Sequence, residues 1–143
     1  MTDFALAEHL AKDTVSIGEF DLCTVLLMND SRFPWAILVP RRAGVAELFE
    51  LTRPDRAQLI EEIALMAETM RQATGAQKMN VAALGNQVRQ LHVHIIGRHE
   101  NDAAWPNPVW NTGPGKPYPP GEAEAFAARL AKALQLGPRA NSL

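Results

Sequence analysis

At 143 residues the chain has room for one compact domain, 1–143, and not for two of ordinary size. Hydrophobic residues make up 47% and charged residues 21%, a balance that excludes an intrinsically disordered chain. The formal net charge of -2 supplies no basic field to draw in a nucleic-acid backbone, so polymeric DNA or RNA is not an expected partner.

Met1 to Leu10 contains Asp3 and Glu8 and no long apolar stretch, so it does not read as a signal peptide. No run approaches the ~18 apolar residues of a membrane-spanning helix. Cys23, the only cysteine, allows neither an internal disulfide nor a cysteine-based zinc site, and a reducing cytoplasm is the expected location. It lies in an apolar run and reads as a small core residue.

Asp3 to Ala11 places Phe4, Ala7, Leu10 and Ala11 on one side of a short helix. Leu22 to Met28 is apolar and β-branched enough for a buried strand, the turn 29–34 follows, and Trp35 to Val39 is the next strand, stopped by Pro40. Thr52 and Asp55 mark a helix start, with Pro54 tolerated in its first turn. Leu59, Ile63, Met66, Ala67 and Met70 then recur at helical spacing until Gly75 ends the run. Gln77 to Leu84 and Gln90 to Arg98 are two further strands joined through Gly85-Asn86, and Glu122 to Leu136 is a C-terminal helix. Between them, residues 101–120 are irregular; Trp105 to Pro120 alone holds six prolines, two tryptophans and a tyrosine. That composition suits an ordered segment laid over a surface. Its aromatics could plug the core or reach toward a bound ligand. With one helix crossing between strand pairs and hairpins elsewhere, the predicted class is α+β, a mainly antiparallel sheet packed with one long central helix and a C-terminal helix.

Three of the four histidines fall within Gln90-Leu-His92-Val-His94-Ile-Ile-Gly-Arg-His99. In an extended chain Leu91, Val93 and Ile95 face one way, and Gln90, His92 and His94 the other, roughly 6.5–7 Å apart. Two imidazoles so spaced can meet a single phosphate. They could instead form a metal pair, although no third ligand is evident, or stand on a solvated sheet face without function. His99 lies past Gly97 and is not expected to take part, and His9 reads as a surface residue.

The stretch Gln90-Leu-His92-Val-His94-Ile-Ile96 resembles the signature of the histidine-triad (HIT) superfamily, with Gln90 in place of the first histidine. Asn80 and the turn Gly85-Asn86-Gln87-Val88 are similar to that family's Asn…Gly-Gln-x-Val stretch. Ile37-Leu-Val-Pro-Arg41 is similar to its apolar strand and Pro-Lys/Arg pair. Trp35 stands where many members carry another histidine. The resemblance covers roughly Leu22 to Arg98 and implies a HIT-like fold of about five strands.

It also implies an activity: hydrolysis or nucleotidyl transfer at the α-phosphate of a nucleotide conjugate, a phosphoramidate or a dinucleoside polyphosphate. The reaction would pass through a covalent nucleotidyl-histidine on His92. The backbone carbonyl of Gln90 would orient that ring, and His94 would donate to a non-bridging oxygen. Gly85 would let the backbone approach the phosphate. Asn86 and Gln87 would offer amide donors, with Gln90 and Asn80 beside them, and Asn29 or Asp30 would contact the ribose. Phe20, Leu22, Ile37 and Leu38 are the expected base pocket. The expected partners are a purine nucleotide or its conjugate and a second copy of the chain, in contact through the long helix and a sheet edge. No cofactor, metal or membrane is expected. The alternative is a nucleotide-binding module or sensor, in which Gln90 leaves affinity but little turnover.

Overall fold

The computed structural model describes residues 3–136; the expected domain limits at 1 and 143 lie outside that range. Residues 3–7 carry no regular structure and lead into a short helix, α1 (Glu8–Asp13), which passes directly into strand β1 (Thr14–Glu19). Strands β2 (Cys23–Met28) and β3 (Trp35–Pro40) form the hairpin expected from the turn at 29–34. A short 3-10 turn (Leu48–Glu50) precedes the long helix α2 (Arg53–Thr74). Strands β4 (Lys78–Ala82) and β5 (Val93–Arg98) follow, and α3 (Glu122–Ala133) comes after the irregular segment. The five strands make one antiparallel sheet in the order β1-β2-β3-β5-β4.

Helix α2 begins and ends where its local chemistry dictates. The Thr52 hydroxyl accepts the Asp55 N–H at 3.2 Å, and Pro54 sits in the first turn, where no intrahelical donor is missed. The Asp55 carboxylate does not complete a capping box; Arg42 holds it, at 2.6 and 3.0 Å. Gly75 closes the helix at φ 71, in the left-handed region, and donates its N–H to the Arg71 carbonyl.

Strand alternation divides the sheet into two buried faces. On one, Val25, Leu27, Ala36, Leu38, Val93 and Ile95 pack beneath Leu59, Met66 and Met70 of α2 and Phe126, Ala127 and Leu130 of α3. Burial of such side chains is worth about 1.5–3 kcal/mol each, enough to fix the register. Glu62 of α2 reaches this layer and accepts the N–H groups of Leu22 and Cys23 at 2.8 and 3.0 Å, tying the helix to the start of β2. Burial and the neighbouring Glu62 carboxylate push the Cys23 thiol up, so it stays a protonated core residue. On the other face, Leu26, Phe33, Trp35, Ile37, Val39 and Ile96 are covered by Leu10, Ala104 and Val109.

The expected helix 3–11 is displaced to Glu8–Asp13, the strands expected at 77–84 and 90–98 shorten to Lys78–Ala82 and Val93–Arg98, the helix expected at 122–136 ends at Ala133, and one strand, β1, is unexpected. Residues 3–7 are not helical because the Gln90 side chain bonds that backbone, accepting the Ala7 N–H and donating to the Ala5 carbonyl, both at 2.8 Å. Strand β1 carries no element in the sequence reading. It follows α1 without a turn and is broken by an irregularity between Ser16 and Gly18.

The irregular segment is ordered by two polar knots. Arg98, 1% exposed, bonds Asp102 at 2.8 and 3.1 Å and Asn80 at 2.9 Å, with its guanidinium 5.6 Å from the ring centres of both Phe33 and Trp105. In the second knot the Asp30 carboxylate binds Arg32 and accepts the Lys116 N–H, while Arg32 donates to the Thr112 carbonyl and Asn29 accepts the Tyr118 N–H. No helix among the described residues is long and apolar enough to cross a membrane.

Candidate active site

The two faces of the sheet decide what β5 can present. Leu91, Val93 and Ile95 belong to the layer under the helices, so His92 and His94 must face the other way. His92 itself lies one residue before the strand proper, yet the alternation continues through it. The two rings meet edge to face with centroids 4.9 Å apart, and both residues are buried.

Their hydrogen bonds assign the ring protons. The Nδ1 of His92 is 2.7 Å from the Gln90 carbonyl, which can only accept, so the neutral ring carries its proton there. Its Nε2 lone pair is left free. For His94 the logic runs in reverse. The Trp35 indole N–H can only donate and reaches Nδ1 at 3.0 Å, so Nε2 holds the proton and donates to the Leu84 carbonyl at 3.1 Å. Burial holds His94 down at about 4, with the nearby His92 acting in the same direction and the Leu84 bond opposing both. His94 is therefore a neutral donor at ordinary pH. As a metal pair the two rings would offer one free nitrogen, and among the described residues no group of three His, Cys, Asp or Glu is placed to hold an ion.

Both rings line a cavity of about 360 Å³. One wall is the loop Leu84 to Val88, which brings Gly85, Asn86 and Gln87 to the histidines. The opposite wall is His9, Leu10 and Asp13 of α1 with Thr14 and Met28, and the irregular segment adds Trp110 and Asn111. A Cβ on Gly85 would lie 2.7 Å from the Val88 carbonyl oxygen and 3.3 Å from Cε1 of His92. Only glycine lets the loop come this near the ring. The titratable lining residues are His9, Asp13, His92 and His94, with no lysine or arginine among them.

Of the expected site residues, His92, His94, Gly85, Asn86 and Gln87 come together at this cavity. Asn80 does not reach it; its side chain accepts from the buried Arg98. The Gln90 side chain is occupied with residues 5 and 7 instead, and only its carbonyl serves His92. Asn29 and Asp30 line an adjoining cleft with Asp13 and Met28, where both anchor the irregular segment. The expected base pocket does not form: Phe20, Leu22 and Leu38 lie under the helices, on the face away from the histidines. Ile37, paired with His94, is on the correct face but wholly buried. His99 is elsewhere, its Nε2 3.3 Å from the Thr74 carbonyl. Sequence reasoning missed the contribution of His9, which carries no local signal. Trp110 packs edge to face on Trp35 and His94 and also lines the cavity.

A neutral imidazole with a free Nε2, oriented by a backbone carbonyl and set beside a glycine-bearing loop, defines a class of small α+β proteins built around a histidine pair. The family model of the HIT domain matches residues 9–101, and the chain belongs to that family. It is similar to a histidine triad protein from Sinorhizobium meliloti 1021 at 52% identity and TM-score 0.88, covering 91% of this chain and 96% of that one. A histidine triad protein from Marinobacter aquaeolei VT8 shares 48% identity at TM-score 0.89, with 95% and 100% covered. A third, from Bradyrhizobium japonicum, shares 39% at TM-score 0.90, with 93% and 99% covered. No curated protein matches the chain significantly.

Proposed function

We propose that the protein is a nucleotide hydrolase or nucleotidyl transferase that acts at the α-phosphate of a nucleotide conjugate through His92. The observation that carries this reading is the 2.7 Å contact between His92 Nδ1 and the Gln90 carbonyl, which leaves Nε2 as a nucleophile. In the first step a bond forms from Nε2 to phosphorus while the bond to the leaving group breaks, and the leaving group departs with its electron pair and takes up a proton from solvent. In the second, water displaces the imidazole and yields the nucleoside monophosphate. His94 Nε2–H, with the amides of Asn86 and Gln87, would meet the phosphate oxygens as charge builds, a kind of preorganised donor that can be worth ~3–4 kcal/mol. Gln90 removes no group from the nucleophile, since the orienting carbonyl is backbone.

The lining supports a conjugate with one phosphate at the site. Neutral amides and imidazoles can receive a single phosphate, whereas the additional phosphates of a dinucleoside polyphosphate call for cations, and these stand outside the cavity lining, Lys12 in the adjoining cleft and Arg89 in the cleft beside Gly85 and Asn86. This favours a phosphoramidate of a purine nucleotide. Leu10, Met28 and Val88 supply apolar surface for the base, and Asp13 with Asn29 in the adjoining cleft supplies oxygens for the ribose. A homodimer is supported by Ile60 and Leu65 of α2 and Val81 of the edge strand β4, all exposed; sedimentation at micromolar concentration tests it.

The test is a panel of adenylyl and guanylyl phosphoramidates and dinucleoside polyphosphates incubated with the wild type and with His92→Ala. Nucleoside monophosphate should be released from phosphoramidates by the wild type alone. Release from no conjugate faster than the variant, with monophosphate still bound, would establish the binding module instead.

A further inference from the structure

Trp35 does more than fill the sheet face. It is 6% exposed, and its indole N–H has a single partner in the structure, the Nδ1 of His94. An indole nitrogen cannot accept a hydrogen bond and does not titrate at ordinary pH. Trp35 is therefore a donor under all conditions in which the protein is folded. A histidine at the same place could donate or accept and would permit either tautomer of its partner. The ring of His94 is further held by Trp110 at 5.1 Å and Trp35 at 5.7 Å, both edge to face, so it cannot turn to exchange its nitrogens without unpacking two tryptophans.

We propose that Trp35 is a positioning residue that locks His94 in the tautomer with its proton on Nε2, making it a permanent donor to the substrate phosphate. The inference rests on the reaction proposed above. In the free protein the Leu84 carbonyl, at the start of the loop that lines the cavity, holds that proton in readiness. A phosphate oxygen entering beside His92 competes for it with a stronger, charge-assisted bond. No proton has to move before the donor can act.

The surroundings of His94 agree with this role. Next to its ring the titratable neighbour is His92, just before the strand, and the cavity lining adds His9 and Asp13 of α1. From β3 and β4 the paired residues are Ile37 and Ala82, which carry no charge. Asp13 is exposed, so no buried carboxylate in contact draws a second proton onto the ring.

The test replaces Trp35 with 3-benzothienylalanine, which keeps the shape of the indole and lacks its N–H, alongside Trp35→Phe. Nitrogen-15 NMR of the histidine side chains reports the tautomer whether or not any conjugate is turned over. In the wild type His94 should carry its proton on Nε2 alone from pH 5 to 8. In the analogue, with only the Leu84 carbonyl left to favour Nε2–H, it should populate both tautomers, and kcat/KM should fall about tenfold. KM should move little. A wild-type His94 protonated on Nδ1, or an analogue that keeps the Nε2–H tautomer, overturns the proposal. A tautomer shift without a change in rate overturns the positioning role. A wild type with the locked tautomer that cleaves no conjugate would leave the lock standing and defeat the proposed reaction.

Discussion

The chemistry of single residues turns here on which nitrogen holds a proton. His92 and His94 are two positions apart on one strand face, yet one carbonyl and one indole give them opposite tautomers, one with a free lone pair and one with a donor held by the Leu84 carbonyl. His92→Asn removes the nucleophile and should lower kcat by a factor on the order of 10³ or more in a steady-state assay. Gly85→Ala should lower kcat/KM more than tenfold, because the new methyl is forced against Val88 and the His92 ring, while overpacking costs about 1–3 kcal/mol of stability by chemical denaturation. His94 also links stability to pH. Its folded value of about 4 lies below the unfolded value near 6.5, so the unfolded chain binds the extra proton first. Its contribution is complete above pH ~6.5 and is lost as pH falls toward 4, on the order of 3 kcal/mol in all. Denaturation midpoints of the wild type and His94→Gln, compared at pH 7.5, 5.5 and 4.5, should converge on acidification.

At the scale of elements, the site is assembled from pieces that the chain brings from far apart. The Gln90 amide clamps residues 5 and 7, and α1, starting one residue later, supplies one wall of the cavity. Gln90→Ala should loosen that wall, raising KM several-fold with kcat retained and speeding hydrogen exchange at the Ala7 amide; loss of the two bonds costs roughly 1–3 kcal/mol. The Arg98–Asp102 knot does the same for the irregular segment. Burial works to raise the Asp102 carboxyl, but its bonds to Arg98 and to the N–H groups of His99, Ala104 and Trp105 hold it well below the carboxylate range. Its stabilisation is present above pH ~4 and is lost as pH drops below that value. Asp102→Ala leaves the Arg98 guanidinium buried without its charge partner and should cost about 3–5 kcal/mol, read as a lower denaturation midpoint.

Over the whole molecule, the sheet with both faces covered explains what could be read in advance. Alternation from Leu91 to Ile96 was legible because the parity of an extended chain is a local property, and it holds even where the strand has not begun. The stripe of α2 and its Gly75 stop were legible for the same reason. The partner of each face was not, because it depends on register and on contacts across the sheet. Leu38 and Ile37 are adjacent in sequence, but pairing with Val93 and His94 sends one beneath the helices and the other toward the site. Asn29 and Asp30 look like free polar groups of a turn, whereas their partners Tyr118 and Lys116 lie more than 80 residues away. Gln90 shows why a motif position need not keep its role: its backbone serves His92 while its side chain is used to build the opposite wall.

Covalent capture at His92 is the most direct measurement. An adenylyl phosphoramidate mixed with the protein, quenched in acid-free denaturant within one turnover and examined by peptide mass spectrometry, should show one adenylyl group on the peptide carrying His92 and none in His92→Asn. Cleavage of the conjugate by the wild type with no such adduct, or at an equal rate by His92→Asn, would contradict the nucleophilic role of that ring.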